Sequence, residues 1–218
     1  MAKNNRNSVM VFCAHSDDQI FGAGGTLAKY AREGGKIFTV VFSFGEYSHP
    51  WLRKRVTIEI RVEESQRADK VIGGSGVIFL GLKEGKFASE IEEKDVKANI
   101  ARIIEKNRPS KIFTHSIDDP MPDHRAVHKC ILSILDKMEY ECDVYTFDIW
   151  NLFNARERKN PKMYVDISST FKTKLKALKC FKSQWHAMFS LLWSVYFKAF
   201  MDGLSNNCRF AERFYKVR

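Results

Sequence analysis

No segment of this 218-residue chain is both long and apolar enough to span a bilayer. The most apolar stretch, Trp185 to Met201, lies within a region whose longest uncharged run is Ser183 to Phe197, short of the ~20 residues a spanning helix needs. Cysteine is sparse and without pattern: Cys13, Cys130, Cys142, Cys180 and Cys208 form no Cys-x-x-Cys pair, and an odd, scattered set fits reduced thiols better than a disulfide framework. The polar start, Met1 to Asn7, lacks the apolar core of a signal peptide, so a cytoplasmic protein is expected, with attachment to a membrane surface as the variant. There is no internal repeat, no low-complexity tract and no Pro, Gly or Ser-rich linker. A single domain over residues 1–218 is therefore expected, large enough to bury a substantial core.

Positive charge, by contrast, is in excess. The formal net charge is +10, with Arg53-Lys54-Arg55 and the lysines from Lys172 to Lys182 as the densest places. No recognised nucleic-acid-binding module accompanies it, so no nucleic acid is expected as a partner. A solvated basic surface and attraction to an anionic small molecule or membrane are the two readings.

Strand-like runs at Val9–Phe12, Ile37–Phe42, Val77–Leu80, Ile112–Thr114, Val144–Phe147 and Tyr164–Ile167 alternate with helical patterns at Thr26–Arg32, Thr57–Val71, Glu93–Lys106, Arg125–Lys137 and Phe171–Phe181. Such alternation predicts an α/β fold of βαβ units, a mainly parallel sheet covered on both faces. The segment Trp185 to Met201 reads as a buried or interface helix, or else as a subunit contact in a homo-oligomer, a lid, or a helix lying on a membrane.

Two strand ends carry the chemistry. After the first run comes Ala14-His15-Ser16-Asp17-Asp18-Gln19, and the glycine-rich Phe21 to Thr26 predicts a turn before the first helix. After Lys111 to Thr114 comes Asp118-Asp119-Pro120-Met121-Pro122-Asp123-His124-Arg125-Ala126-Val127-His128. In open α/β sheets ligands bind outside the carboxyl ends of the strands, where both runs fall. His15, one of the paired aspartates and His124 would form a two-histidine, one-carboxylate set of the kind that holds catalytic zinc with a position open. The other aspartate would then be free to accept a proton. His124 and His128 stand four apart, yet Arg125-Ala126-Val127 between them lacks the glutamate of a His-Glu-x-x-His motif, so His128 is expected at the surface or behind the site. His49 and His186 have no ligand spacing and read as solvated.

These residues resemble the LmbE-like (PIG-L) metal-dependent de-N-acetylases, whose signatures are Ala-His-Pro-Asp-Asp-Glu after the first strand and His-x-Asp-His near mid-chain. Weaker similarities follow in order: Arg61-Val62-Glu63-Glu64, Phe79-Leu80-Gly81-Leu82-Lys83-Glu84-Gly85, Val165-Asp166-Ile167-Ser168, Lys182-Ser183-Gln184 and Phe210-Ala211-Glu212-Arg213-Phe214. The resemblance implies a Rossmann-like three-layer αβα sandwich, with His15, Asp18 and His124 as ligands of Zn2+ or another divalent metal and Asp17 as general base. Asp123 is the acid expected to orient an imidazole, with Arg61 and Glu84 as substrate contacts. The implied reaction is hydrolysis of an N-acetyl group from an amino sugar or its conjugate, including anionic and lipid-linked forms. An amidase acting on a thiol or other non-sugar conjugate and a catalytically silent metal- and sugar-binding homologue are the alternatives.

The chain departs from the family pattern at three places. Ser16 replaces a proline and Gln19 a glutamate, changes expected in the turn rather than in the ligand set. Met121 replaces the first histidine of His-x-Asp-His, and a thioether donates no hydrogen bond. Loss of one such donor typically costs about 10² to 10³ in rate. His115 reads either as an ordinary strand-end histidine or as the substitute for it.

Overall fold

In the computed structural model the described residues are 8–48, 51–93, 95–150 and 159–218, with the backbone alone for 186–190. His49, the side chain of His186 and the polar start of the chain lie outside them.

The elements run β1 Ser8–Cys13, α1 Asp18–Arg32, β2 Lys36–Ser43, α2 Lys54–Ile72, β3 Gly76–Leu82, α3 Phe87–Glu93, α4 Val96–Asn107, β4 Lys111–His115, α5 Pro122–Lys137, β5 Asp143–Phe147, β6 Lys162–Asp166, α6 Phe171–Leu178, a 3₁₀ turn Lys182–Gln184, α7 Trp185–Ser205 and β7 Ala211–Lys216. One seven-stranded sheet has the order β3-β2-β1-β4-β5-β7-β6. The first five strands are parallel, and β7 runs antiparallel between β5 and β6. Successive residues of β1 divide between two cores, as expected for a strand buried on both faces. Val9, Val11 and Cys13 pack with residues of α1, α2, α6 and α7. Met10 and Phe12 pack with residues of α3, α4 and α5.

Three expectations need correction. The pattern Glu93–Lys106 is α4, and the separate short helix α3 ahead of it was not expected. The closing Ala211–Lys216 is a strand that the alternation did not reveal. The glycine-rich Phe21 to Thr26 is no turn but the interior of α1. The physical reason is close packing. A Cβ on Gly22 would stand 2.3–2.8 Å from the ring of Phe147, and one on Gly25 would stand 2.7–2.9 Å from Ile167.

Side chains enter the helix at this thin place. Glu212 on β7 accepts hydrogen bonds from the amides of Gly25 at 3.0 Å and Thr26 at 2.7 Å. Lys174 on α6 donates to the Phe21 carbonyl and pairs with Glu212 at 2.6 Å, both side chains being buried. Thr170 also donates to the Gly25 carbonyl. These contacts hold α1, and with it the end of β1, against the antiparallel edge of the sheet. Glu212→Ala would leave a buried ammonium unpaired. We expect a loss of about 3–5 kcal/mol, seen in calorimetry as a melting midpoint lower by roughly 10 °C; an unchanged midpoint would contradict this role.

Candidate metal and catalytic site

β1 lies between β2 and β4, so the chain leaves it in opposite directions on its two sides, and the crevice at the carboxyl ends of β1 and β4 is the switch point of the sheet. His15, Asp17 and Asp18 follow β1; His124 begins α5 beyond β4. Asp17 occupies the N-cap position of α1 without a side-chain cap, so its carboxylate is not committed to the helix. Asp18 is turned back, with Oδ2 accepting from the His15 amide at 2.7 Å.

His15 Nδ1, Asp18 Oδ2 and His124 Nε2 converge. Their mutual separations are 3.5 Å for His15 to Asp18, 3.6 Å for His124 to Asp18, and 3.4 Å between the two imidazole nitrogens. Ligands on a tetrahedral zinc with bonds of about 2.0–2.2 Å stand roughly 3.3–3.6 Å apart. The three atoms therefore have the spacing of three corners around a cation.

The surroundings support that arrangement. Glu84 Oε1 lies 3.7 Å from the other nitrogen of His15. Its loop is pinned where Asp123 Oδ2 accepts from the amide of Gly85, a left-handed position with φ +75, and where Glu90 accepts from the amide of Lys83. The carboxylate facing His124 is Asp119 rather than the expected Asp123: Asp119 Oδ1 stands 3.0 Å from His124 Nδ1, although off the line of a hydrogen bond from that nitrogen. Asp119 Oδ1 also accepts from the Met121 amide, so the turn before α5 positions both. Its signal in the sequence was the pair Asp118-Asp119 just ahead of the motif.

His115 is corrected as well. It is fully buried, its ring stacks on His124 with centroids 3.8 Å apart, and it is not among the residues lining the cleft. Nε2 accepts from the Ala14 amide at 3.0 Å and lies 3.2 Å from Asp18 Oδ2. Burial and the neighbouring His124 lower its pKa to about 4, against the pull of Asp18, so the ring is neutral. It supports the ligand layer from behind and does not reach a substrate. His115, Asp119 and His124 also fall within ligand distance of one another, but this group is sealed beneath the first. His128 is buried too, its Nδ1 2.8 Å from the His115 carbonyl, so it lies behind the site and not at the surface.

Charge is distributed unevenly across the cluster. Burial raises the pKa of Asp18, yet the charge of His124, with a hydrogen bond from His15, holds it well below the usual carboxylate range. Burial lowers that of His15, but the hydrogen bond and charge of Asp18, then Glu84 and Asp17, outweigh it and raise the value to about 9. Burial raises Glu84.

A cleft of about 140 Å³ opens over these groups, lined by His15, Asp17, Asp18, Arg61, Glu84 and Met121 on its polar side. Phe21, Ile149, Trp150 and Leu191 form an apolar wall that sequence reasoning did not identify. Arg61 is buried, its Nη2 is 3.6 Å from Asp17 Oδ1, and its Nε and Nη1 have no hydrogen-bond partner among the described residues. On the same helix Glu64 clasps Ser183 through its amide at 2.7 Å and its hydroxyl at 2.6 Å. That clasp brings the Arg61–Glu64 and Lys182–Gln184 elements together, and Gln184 reaches the cleft.

Fold and site thus define an α/β protein with a cation-competent histidine–aspartate cluster at the switch point of a parallel sheet. The GlcNAc-PI de-N-acetylase (PIG-L) family matches residues 10–135, more than half of the chain, and the chain belongs to that family. It is 26% identical over 210 residues to the 4-oxalmesaconate hydratase of Pseudomonas putida, covering 88% of this chain and 77% of the relative. To the probable N-acetyl-alpha-D-glucosaminyl L-malate deacetylase 2 of Bacillus cereus it is 28% identical over 189 residues, covering 83% and 84%. The N,N'-diacetylchitobiose deacetylase of Pyrococcus horikoshii shares the fold with a TM-score of 0.81 at 19% identity, covering 97% of this chain and 84% of that one. No helix among the described residues is long and apolar enough to cross a membrane.

Proposed function

We propose that the chain is a metal-dependent hydrolase that removes an N-acetyl group from an amino sugar bearing an anionic substituent. The observation that carries this reading is the convergence of His15 Nδ1, Asp18 Oδ2 and His124 Nε2 at 3.4–3.6 Å beneath a cleft that also presents Asp17. Zn2+ or another divalent cation held by those three atoms would supply Lewis acidity toward the amide carbonyl. Asp17 accepts the proton of the water that attacks the carbonyl carbon. When the carbon–nitrogen bond breaks, the same carboxyl returns that proton to the leaving nitrogen, because Met121 stands where the family pattern places a histidine and offers no proton. The unpartnered Nε and Nη1 of Arg61 are suited to a carboxylate or phosphate on the substrate, a charge-assisted contact that would complete a buried guanidinium. Glu84 holds His15 and borders the sugar.

An acetate-release assay with the zinc-loaded protein tests the reading, using N-acetylglucosamine and its malate and phosphate conjugates. The charged conjugates are expected to be preferred. Met121→His adds a donor at the point where charge develops, and kcat is expected to rise about 10- to 100-fold with little change in KM. Indifference to that substitution in an already fast enzyme would remove Met121 from the proton path.

The hydratase relative, aligned over 88% of the chain, favours a second reading. Addition of water across the double bond of an unsaturated carboxylate uses a base at Asp17 and an anion contact at Arg61, and it has no leaving amine to protonate. Loss of the conjugated ultraviolet absorbance of such a substrate, with no acetate released from any amide, would decide for it.

A further inference from the structure

Helix α7 buries Leu191, Val195 and Ala199 and leaves the opposite face open. Trp193, Tyr196, Phe197, Phe200, Met201 and Leu204 lie on that face at helical spacing, each between 45% and 76% exposed. None of them is charged. The two charged residues of the helix are engaged elsewhere: Lys198 donates to the carbonyls of Asp148 and Ile149, and Asp202 pairs with Arg213 at 3.2 Å. At ~150–250 Å² for each aromatic side chain these exposures leave roughly 600 Å² of apolar surface, most of the ~800 Å² that each partner contributes to a standard interface.

The order of the residues identifies the occupant. Two helices crossing antiparallel at a two-fold axis bring together positions equidistant from the crossing point. About a centre between Lys198 and Ala199, Trp193 faces Leu204, Tyr196 faces Met201, and Phe197 faces Phe200. Every pair sets a ring against an apolar side chain, and every pair occurs twice, as an isologous contact requires. A membrane surface fits less well, since interfacial helices flank their apolar face with lysine and arginine, and the lysine of α7, Lys198, is turned inward.

We propose that a second copy of this chain covers this face, the two α7 helices packing antiparallel about a two-fold axis near Lys198 and Ala199. The same helix supplies Leu191 to the cleft wall, so the contact also fixes one side of the candidate site.

Sedimentation velocity on the full chain tests the pairing. The natural chain is expected to sediment at twice the monomer mass. Phe197→Lys/Phe200→Lys places lysine against lysine across the axis and is expected to weaken the dimer by about 10²-fold or more, with an unchanged circular dichroism spectrum. Phe197→Lys/Phe200→Glu places lysine against glutamate in the antiparallel register and is expected to restore the dimer. A monomeric natural chain would overturn the proposal without recourse to any variant, including one that floats with anionic phospholipid vesicles. An assembly indifferent to the double lysine variant would overturn it as well, as would equal dissociation of both variants.

Discussion

Replacing His124 with Ala is expected to strip the metal from the protein, taking zinc measured by mass spectrometry after dialysis from stoichiometric to near zero. Two ligands would remain of three, and the loss goes beyond one bond. His124 lies between Asp18 and Asp119, so its removal leaves two buried carboxylates facing a void. The rise in melting midpoint that zinc gives the natural protein, which grows with the logarithm of metal concentration over its dissociation constant, is expected to vanish in the variant. His128→Ala is the control, since that ring is paired with the His115 carbonyl and supplies none of the three converging ligand atoms, and it is expected to keep the metal. Proton competition adds a second signature. In the metal-free protein the hydrogen bond and charge of Asp18 outweigh burial and raise His15 to about 9, so the ring is protonated at neutral pH and must lose that proton to ligate. Apparent affinity is therefore expected to fall about tenfold per pH unit below 9, and to level off above it. Stoichiometric zinc in His124→Ala, or an affinity independent of pH between 6 and 8, would refute the assignment of the triad.

How far the site could be read from the sequence depended on whether the information was local. The strands β1, β2, β4 and β5 were legible because both faces of each are buried, which leaves short apolar runs with turn signals between them, and the half-buried edge strand β3 keeps the same kind of run. His15, Asp18 and His124 were legible because each lies between a strand end and the first turn of the helix that follows it. The glycines of α1 misled, since their partners Phe147 and Ile167 lie far along the chain and nothing local distinguishes a glycine that loosens a turn from one that admits a ring. The same distance hid the function of Glu212, which holds the amides of Gly25 and Thr26. Asp123 was expected to orient His124 because it is adjacent. On the first turn of α5 its side chain instead points to the Gly85 loop, and the turn preceding the helix swings Asp119 toward the imidazole. Adjacent residues on a helix face different ways, about 100° apart, so nearest in sequence is a poor guide to nearest in space.

The same argument applies to the two neighbouring aspartates, and it separates them by experiment. Asp18 is buried, its Oδ2 surrounded by His15, His115 and His124 at 3.2–3.6 Å, and held ionised by His124 and His15. Asp17 lies on the cleft with Arg61 as its charged neighbour at 3.6 Å and takes no part in the triad. Asp17→Asn keeps the shape and the metal ligands, so zinc content and the zinc-dependent melting shift are expected to match those of the natural protein. Turnover is expected to fall by about 10² to 10⁴, because an amide cannot accept the proton of the attacking water. The loss belongs in kcat, since ground-state contacts through Arg61 and Glu84 persist. Asp18→Asn should invert the pattern: metal affinity falls first, and activity is recovered in part by excess zinc. If Asp17→Asn turned over substrate at the natural rate, the base would have to be another cleft carboxylate. Glu84, raised by burial and 3.7 Å from His15, is the next group within reach, and loss of turnover in Glu84→Gln with zinc retained would then identify it.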